Sequence, residues 1–114
     1  MPRALEVLRQ VGAPSFLTVL KRFGPSNRAP LSFPLPGWTL AADVPAAVPG
    51  LLAVLDRLDQ EVAAAGGRLY LAKDSRQSRG MAAVSHPHLA DWQQIRLEAD
   101  PSESFSSDQA QRIS

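Results

Sequence analysis

Two lysines are the residues whose chemistry stands out in this chain. Of twelve basic residues ten are arginines, so Lys21 and Lys73 are the only lysines. Lys73 ends the apolar run RLYLAK, residues 68–73, and the polar residues DSR follow at once. An ammonium is a compact point charge and a guanidinium a broad fork, so the two residue types are not interchangeable. A lysine at the end of a sheet strand can bind an anion or stabilise negative charge that develops in a reaction.

A surface role for Lys73 is the alternative. The run Asp74 and Ser75 is typical of a turn, and a lysine that merely follows a strand into such a turn needs no ligand. The residues alone leave both interpretations open.

Other chemistries have weaker support. His86 and His88 are two residues apart, but no further ligand stands at a useful spacing, so we expect exposed histidines at a helix start rather than a metal site. The sequence has no nucleophile elbow and no glycine-rich loop that could bind a pyrophosphate through its amides. We expect Asp56, Asp59 and Glu61 to form the solvated face of a helix.

Composition limits the class of protein. The chain has 114 residues, 45% of them hydrophobic and 20% charged, which is typical of one small globular domain. Its net charge of +1 argues against a nucleic-acid or anionic-lipid partner. We expect a soluble chain without a signal peptide or membrane segment, and the absence of cysteine leaves its compartment undetermined.

Hydrophobic periodicity and turn residues divide the chain into short elements. Predicted helices cover residues 2–11 and 49–65, and predicted strands cover residues 15–23, 38–44 and 68–73. The order strand, helix, strand over residues 38–73 predicts a right-handed crossover within one sheet. A mostly helical region follows Arg76, and the polar tail from Asp100 is expected to be weakly held unless it docks. The predicted class is α+β, with a mixed or antiparallel sheet of about three strands packed by two or three helices.

Three blocks carry a family resemblance. LKRFGP, PLSFPLPGW and GGRLYLAKDSR, in this order and followed by HPHLADWQQIRLEADP, are similar to the C-terminal portion of the decaprenylphosphoryl-β-D-ribose 2-oxidase family. Members are FAD-dependent oxidoreductases of the vanillyl-alcohol-oxidase type, act in arabinan precursor synthesis and work in the cytoplasm or at the cell envelope. The resemblance runs from Ser15 onward and implies that this chain is a piece of a larger flavoenzyme.

The resemblance also implies roles for individual residues. Residues 1–67 would belong to the substrate-binding domain, and residues 68–114 would return to the FAD-binding domain. Lys73 matches the lysine beside the flavin and the substrate, which makes it the candidate catalytic and cofactor-binding residue, and Tyr70 matches a cofactor-binding tyrosine. Lys21 and Phe23 match the lysine and aromatic residue of the substrate site.

Two positions depart from the family. Thr39 and Ala41 are candidate substrate-binding residues by position, but the family commonly has asparagine and cysteine there. No segment matches the family's flavin domain with its pyrophosphate loop, so we expect that this chain alone does not hold FAD.

The expected partners are the FAD-binding domain, or a separate chain that carries it, and a polyprenyl-phosphate sugar. The alternative is a non-catalytic α+β interaction module or a truncated gene product without activity, which could self-associate through uncovered apolar edges.

Overall fold

The chain folds into helices and one small sheet, which confirms the predicted α+β class. A computed structural model describes residues 2–10, 12, 15 and 17–114. Along these residues the elements are α1 (Pro2–Gln10), β1 (Leu17–Phe23), β2 (Gly37–Asp43), α2 (Leu51–Ala64), α3 (Arg79–Ser85), α4 (Leu89–Ala99) and α5 (Asp108–Ile113), with a 3-10 turn at Leu71–Lys73. Val11 of the first predicted helix and Phe16 of the first predicted strand lie outside the described residues.

Strands β1 and β2 form a two-stranded antiparallel sheet. Strand β1 is rich in β-branched and aromatic residues and β2 contains Trp38 and Thr39, and the proline-rich connection between them cannot continue either strand. The register places Lys21 opposite Thr39 and Phe23 opposite Gly37. The strands predicted at residues 15–23 and 38–44 are therefore confirmed. The ends of β1 and β2 lie within two residues of the predicted ends.

The third predicted strand is wrong. Residues 68–70 form no strand, although Tyr70 is extended, and residues 71–73 form the 3-10 turn, so the predicted crossover does not form. Side chains satisfy two carbonyls that a neighbouring strand would otherwise satisfy: His86 bonds to the Leu69 oxygen at 3.0 Å, and Gln109 donates to the Leu71 oxygen at 2.6 Å. A short apolar run looks the same in sequence whether it pairs with a strand or packs against helices.

Helix α2 is the element that the sequence predicts best. Leu51, Leu55, Leu58 and Val62 lie on one stripe, with Leu51 buried and the other three half-buried. The helix ends in a Schellman motif, in which the Gly67 amide donates to the Val62 carbonyl at 2.8 Å. This motif needs the left-handed conformation that Gly66 adopts, with φ of 70°.

A cluster of buried residues lies among the last three helices. Ala82 of α3, Leu89 of α4 and Ile113 of α5 are buried together, and Leu71 packs against them. The polar tail therefore docks through its last turn, whereas Phe105 stays exposed. Among the described residues no helix combines the length and apolar character needed to cross a membrane.

Candidate functional site

The four predicted substrate-binding residues share one face of the sheet. Because Lys21 pairs with Thr39 and Val19 with Ala41, the alternation of an antiparallel pair puts Lys21, Phe23, Thr39 and Ala41 on the same side. Lys21 and Ala41 are exposed, and Phe23 and Thr39 are half-buried. This face presents an ammonium beside a hydroxyl, a pair of groups suited to a polar or anionic ligand.

Aromatic contacts connect this strand pair to the segment after α2. The Phe33 ring contacts Phe23 edge to face, with centroids 5.7 Å apart, and contacts Tyr70 at 4.8 Å. Such pairs stabilise beyond the burial of their area. Phe33, which the sequence analysis did not single out, therefore joins the predicted substrate strand to the predicted cofactor segment.

A groove of about 730 Å³ lies between the sheet, α2 and the segment that ends at Tyr70. Its lining is mainly apolar and includes Phe23, Thr39 and Tyr70 of the predicted site. Lys21, Ala41 and Lys73 are not among the lining residues. The structure thus brings half of the predicted residues to one groove, whereas Lys21 and Ala41 lie on the sheet face opposite Leu40 and Ala42, which line the groove.

Lys73 occupies the last position of the 3-10 turn, not the end of a strand. Its side chain is exposed and lines, together with Tyr70, a smaller cavity of about 270 Å³. Within the described part of the chain its ammonium makes no hydrogen bond or ion pair, whereas six of the arginines do. The charge of Lys73 is therefore available to a ligand.

The turn after Lys73 is built on Asp74. Its carboxylate accepts from the backbone amides of Arg76 at 3.1 Å and Gln77 at 2.8 Å, which confirms the predicted turn. Burial opposes ionisation, but these amides and the Arg112 guanidinium together lower the pKa of Asp74. The carboxylate is therefore charged near neutral pH and fixes the backbone next to Lys73.

Arg76 holds this turn to helix α2. Its two terminal nitrogens lie 2.5 Å from oxygens of Asp56 and Asp59. Burial raises the pKa of Asp59 in spite of the neighbouring guanidinium. The expectation of a solvated face is wrong for Asp59, whose side chain is only 14% exposed. The spacing of Asp56 and Asp59 allows both carboxylates to bind one guanidinium. Arg76 lies far from both along the chain, so a local sequence pattern does not show these ion pairs.

The two histidines differ, and the expectation that both are exposed is wrong for His86. His86 is 1% exposed, whereas His88 lies at the surface and pairs with Asp91 at 2.9 Å. The His86 Nε2 donates to the Leu69 carbonyl, since a carbonyl can only accept, and this bond holds the segment that leads to Tyr70. In the part of the chain that the structure describes, no group of three or more acidic or histidine side chains could hold a metal.

His86 should make stability depend on pH. Burial lowers the pKa of His86 from 6.5, and the nearby Arg68 guanidinium adds to this effect. Its Nδ1 is buried without a hydrogen-bond partner, so a second proton there would have no acceptor. The unfolded chain then binds a proton that the folded chain does not, and the free energy of unfolding should fall as the pH drops below about 6.5.

The measurement is urea unfolding between about pH 7.5 and about pH 5.5. We expect the variant His86→Gln to lose about 1–2 kcal/mol at neutral pH and most of the pH dependence. His88→Gln is the matched control and should keep the wild-type profile. A wild-type profile that is flat over this range would contradict the assignment.

Sequence comparison finds curated proteins that are similar to this chain. No protein-family model matches it. It is 44% identical over 106 residues to a decaprenylphosphoryl-beta-D-ribose oxidase of Mycolicibacterium smegmatis, a match that includes 93% of this chain. The chain is related to this oxidase. It is also 48% identical over 95 residues to a protein of Streptomyces coelicolor described as "Uncharacterized protein in mprA 5'region".

The relation to decaprenylphosphoryl-beta-D-ribose oxidase confirms the resemblance that the sequence blocks indicate. The chain spans about a quarter of the length of these relatives, 23% of the oxidase and 26% of the Streptomyces protein. The match to the oxidase leaves only about eight of the 114 residues outside it, so both strands, α2 and the Lys73 turn lie within it.

Proposed function

We propose that this chain supplies part of the active site of a FAD-dependent oxidoreductase, which oxidises the ribose 2-hydroxyl of a polyprenyl-phosphate sugar. The observation that carries the proposal is its 44% identity to decaprenylphosphoryl-beta-D-ribose oxidase across the segments that contain Lys21 and Lys73. The exposed ammonium of Lys73, which has no partner among the described residues and lies beside Tyr70, supports it.

The residues around Lys73 fit the ring end of the cofactor. The exposed Lys73 ammonium and the half-exposed Tyr70 hydroxyl form a donor set suited to the carbonyls of an isoalloxazine edge. When bound, the flavin supplies the hydride acceptor. Lys73 would hold a positive charge where negative charge accumulates on the reduced ring, and this lowers the energy of the transition state.

The pyrophosphate end of FAD has no comparable residues in this sequence, which lacks a glycine-rich phosphate loop. We therefore propose that an FAD-binding domain, or a separate chain that carries it, binds that end. Residues 1–67 would belong to the substrate-binding domain, and residues 68–114 would return to the FAD-binding domain.

The sheet face with Lys21 and Phe23 is the proposed substrate surface. The Lys21 ammonium would bind an anionic or hydroxyl oxygen of the phosphorylated sugar, and Phe23 would contact its apolar parts. Thr39, directly opposite Lys21, contributes one hydroxyl where the family commonly has an amide. Ala41 contributes no polar group, so the ligand is held by fewer hydrogen bonds at this edge.

A second candidate function is a non-catalytic interaction module that self-associates. The described sheet has two strands, and Leu17, Leu20 and Trp38 on it are each more than half exposed. A two-stranded sheet is marginal in water unless other groups cover it. A second copy of the chain could provide this cover.

Reconstitution separates the two functions. We expect that the chain purified alone retains no FAD, and that co-expression with the flavin domain of the Mycolicibacterium smegmatis oxidase yields a yellow complex. The flavin absorbance should bleach when the polyprenyl-phosphate sugar is added without an electron acceptor. A colourless mixture in which this chain forms stable dimers would instead support the interaction module. If the isolated chain binds stoichiometric flavin, this would contradict the proposal that another domain or chain binds the pyrophosphate end of FAD.

A further inference from the structure

The turn that carries Lys73 is held by the C-terminal helix α5. The Gln109 amide donates to the Leu71 carbonyl at 2.6 Å. The Arg112 guanidinium donates to the Asp74 carboxylate at 2.9 Å and to the Gln77 carbonyl at 2.6 Å. These acceptors lie before and after Lys73, so α5 holds both ends of the turn.

These contacts lie partly away from solvent. The Asp74 side chain is 9% exposed and that of Arg112 is 28% exposed, so water competes weakly for the charged hydrogen bond. Ile113 is 3% exposed and anchors α5 beside Leu71. A helix of six residues is not stable by itself, so α5 persists through these tertiary contacts.

Asp74 connects α5 to the backbone next to Lys73. One carboxylate oxygen accepts from the amides of Arg76 and Gln77, while the other accepts from Arg112. Removing the guanidinium would leave a largely buried carboxylate without its charged donor. The carboxylate would then turn toward water, and the amides that it fixes would lose their acceptor.

We propose that Arg112 and Gln109 are positioning residues, which fix the turn that presents Tyr70 and Lys73. A lysine side chain is flexible along four carbons and can hold its ammonium at a ligand only if its backbone is fixed. The positioning role toward a flavin rests on the function proposed above, whereas the effect on the turn does not.

Amide hydrogen exchange of the isolated chain tests the effect on the turn. With Arg112→Gln we expect the amides of residues 74–77 to exchange about tenfold faster, since a hydrogen bond to a charged group is lost. Gln109→Ala should accelerate the same amides to a smaller extent. Arg112→Lys keeps the charge and should restore part of the protection.

Gln111→Ala is the matched control for Gln109→Ala. Gln111 lies on the same helix, and among the described residues its side chain bonds only to the nearby Ser106 hydroxyl, so its removal should leave residues 74–77 unchanged. Equal acceleration of all amides, including those of α2, would show global destabilisation and would overturn the proposal. Unchanged exchange at residues 74–77 in Arg112→Gln would overturn it as well.

The flavin potential of the reconstituted complex tests the effect on Lys73. Arg112→Gln should shift the midpoint potential in the same direction as Lys73→Met but by less. In this variant Lys73 keeps its charge, but the turn no longer fixes the position of the lysine. A shift with Lys73→Met and none with Arg112→Gln would overturn the positioning role. No shift with Lys73→Met itself would contradict the proposed function, and the exchange result would still decide whether α5 fixes the turn.

Discussion

Lys73→Met should lower kcat of the reconstituted complex by about 10²–10³-fold, the usual cost of removing one preorganised group that stabilises developing charge. Methionine keeps much of the side-chain length and removes the charge together with the ammonium donors. Since Lys73 is exposed and, within the described residues, unpaired, its loss should change the free energy of unfolding by less than about 0.5 kcal/mol. The measurement is single-turnover flavin reduction, which isolates the chemical step from product release.

Arg79→Met is the matched control for this loss of charge. Arg79 is an exposed cation six residues further along the chain, and in the described structure its side chain makes no hydrogen bond or ion pair. We expect its reduction rate to stay within about twofold of the wild type, because exposed charges at a distance are screened by water and salt. A Lys73→Met complex that reduces its flavin at the wild-type rate would remove Lys73 from the chemistry.

Local sequence signals predict the elements that depend on local chemistry. The leucine stripe and the paired glycines predict α2 and its end, the β-branched and aromatic residues predict β1, and the run that stops at Pro45 predicts β2. The sequence blocks also predict the relation to the oxidase, because several short matches in fixed order are specific in combination. In each case the residues that carry the signal lie within a few positions of one another in the sequence.

The environment of Lys73 depends on distant residues, which a local pattern does not show. The run that ends at Lys73 has the composition of a strand, but His86 and Gln109 satisfy two of its carbonyls, and no strand in the described structure pairs with it. Arg112 reaches Asp74 across 38 residues. The lysine is exposed as the proposed chemistry requires, but helices hold its backbone where the sequence predicts a sheet.

Arg76→Met should produce the largest loss of stability among the substitutions considered, about 2 kcal/mol. The substitution removes both ion pairs and leaves the Asp59 carboxylate, 14% exposed, without its charged donor. Asp56 is 65% exposed and regains water, so most of the cost comes from Asp59. Urea unfolding at pH about 7 measures the change, and Arg57→Gln is the control. Arg57 forms an ion pair with Glu61 at the surface and should cost less than about 0.5 kcal/mol.

The pH dependence of the stability loss in Arg76→Met shows which interaction causes the loss. The pKa of Asp59 is raised in the folded wild type, and loss of Arg76 should raise it further. A carboxyl whose folded pKa lies above its unfolded value stabilises the fold as the pH falls through the folded pKa, because the folded state then binds more protons. The difference in free energy of unfolding between Arg76→Met and the wild type should therefore become smaller as the pH falls.

Adding Asp59→Asn to Arg76→Met should recover much of the lost stability at neutral pH. If the stability loss does not depend on pH and is the same in the double variant, its cause is the lost packing of the Arg76 side-chain stem and not an unpaired charge.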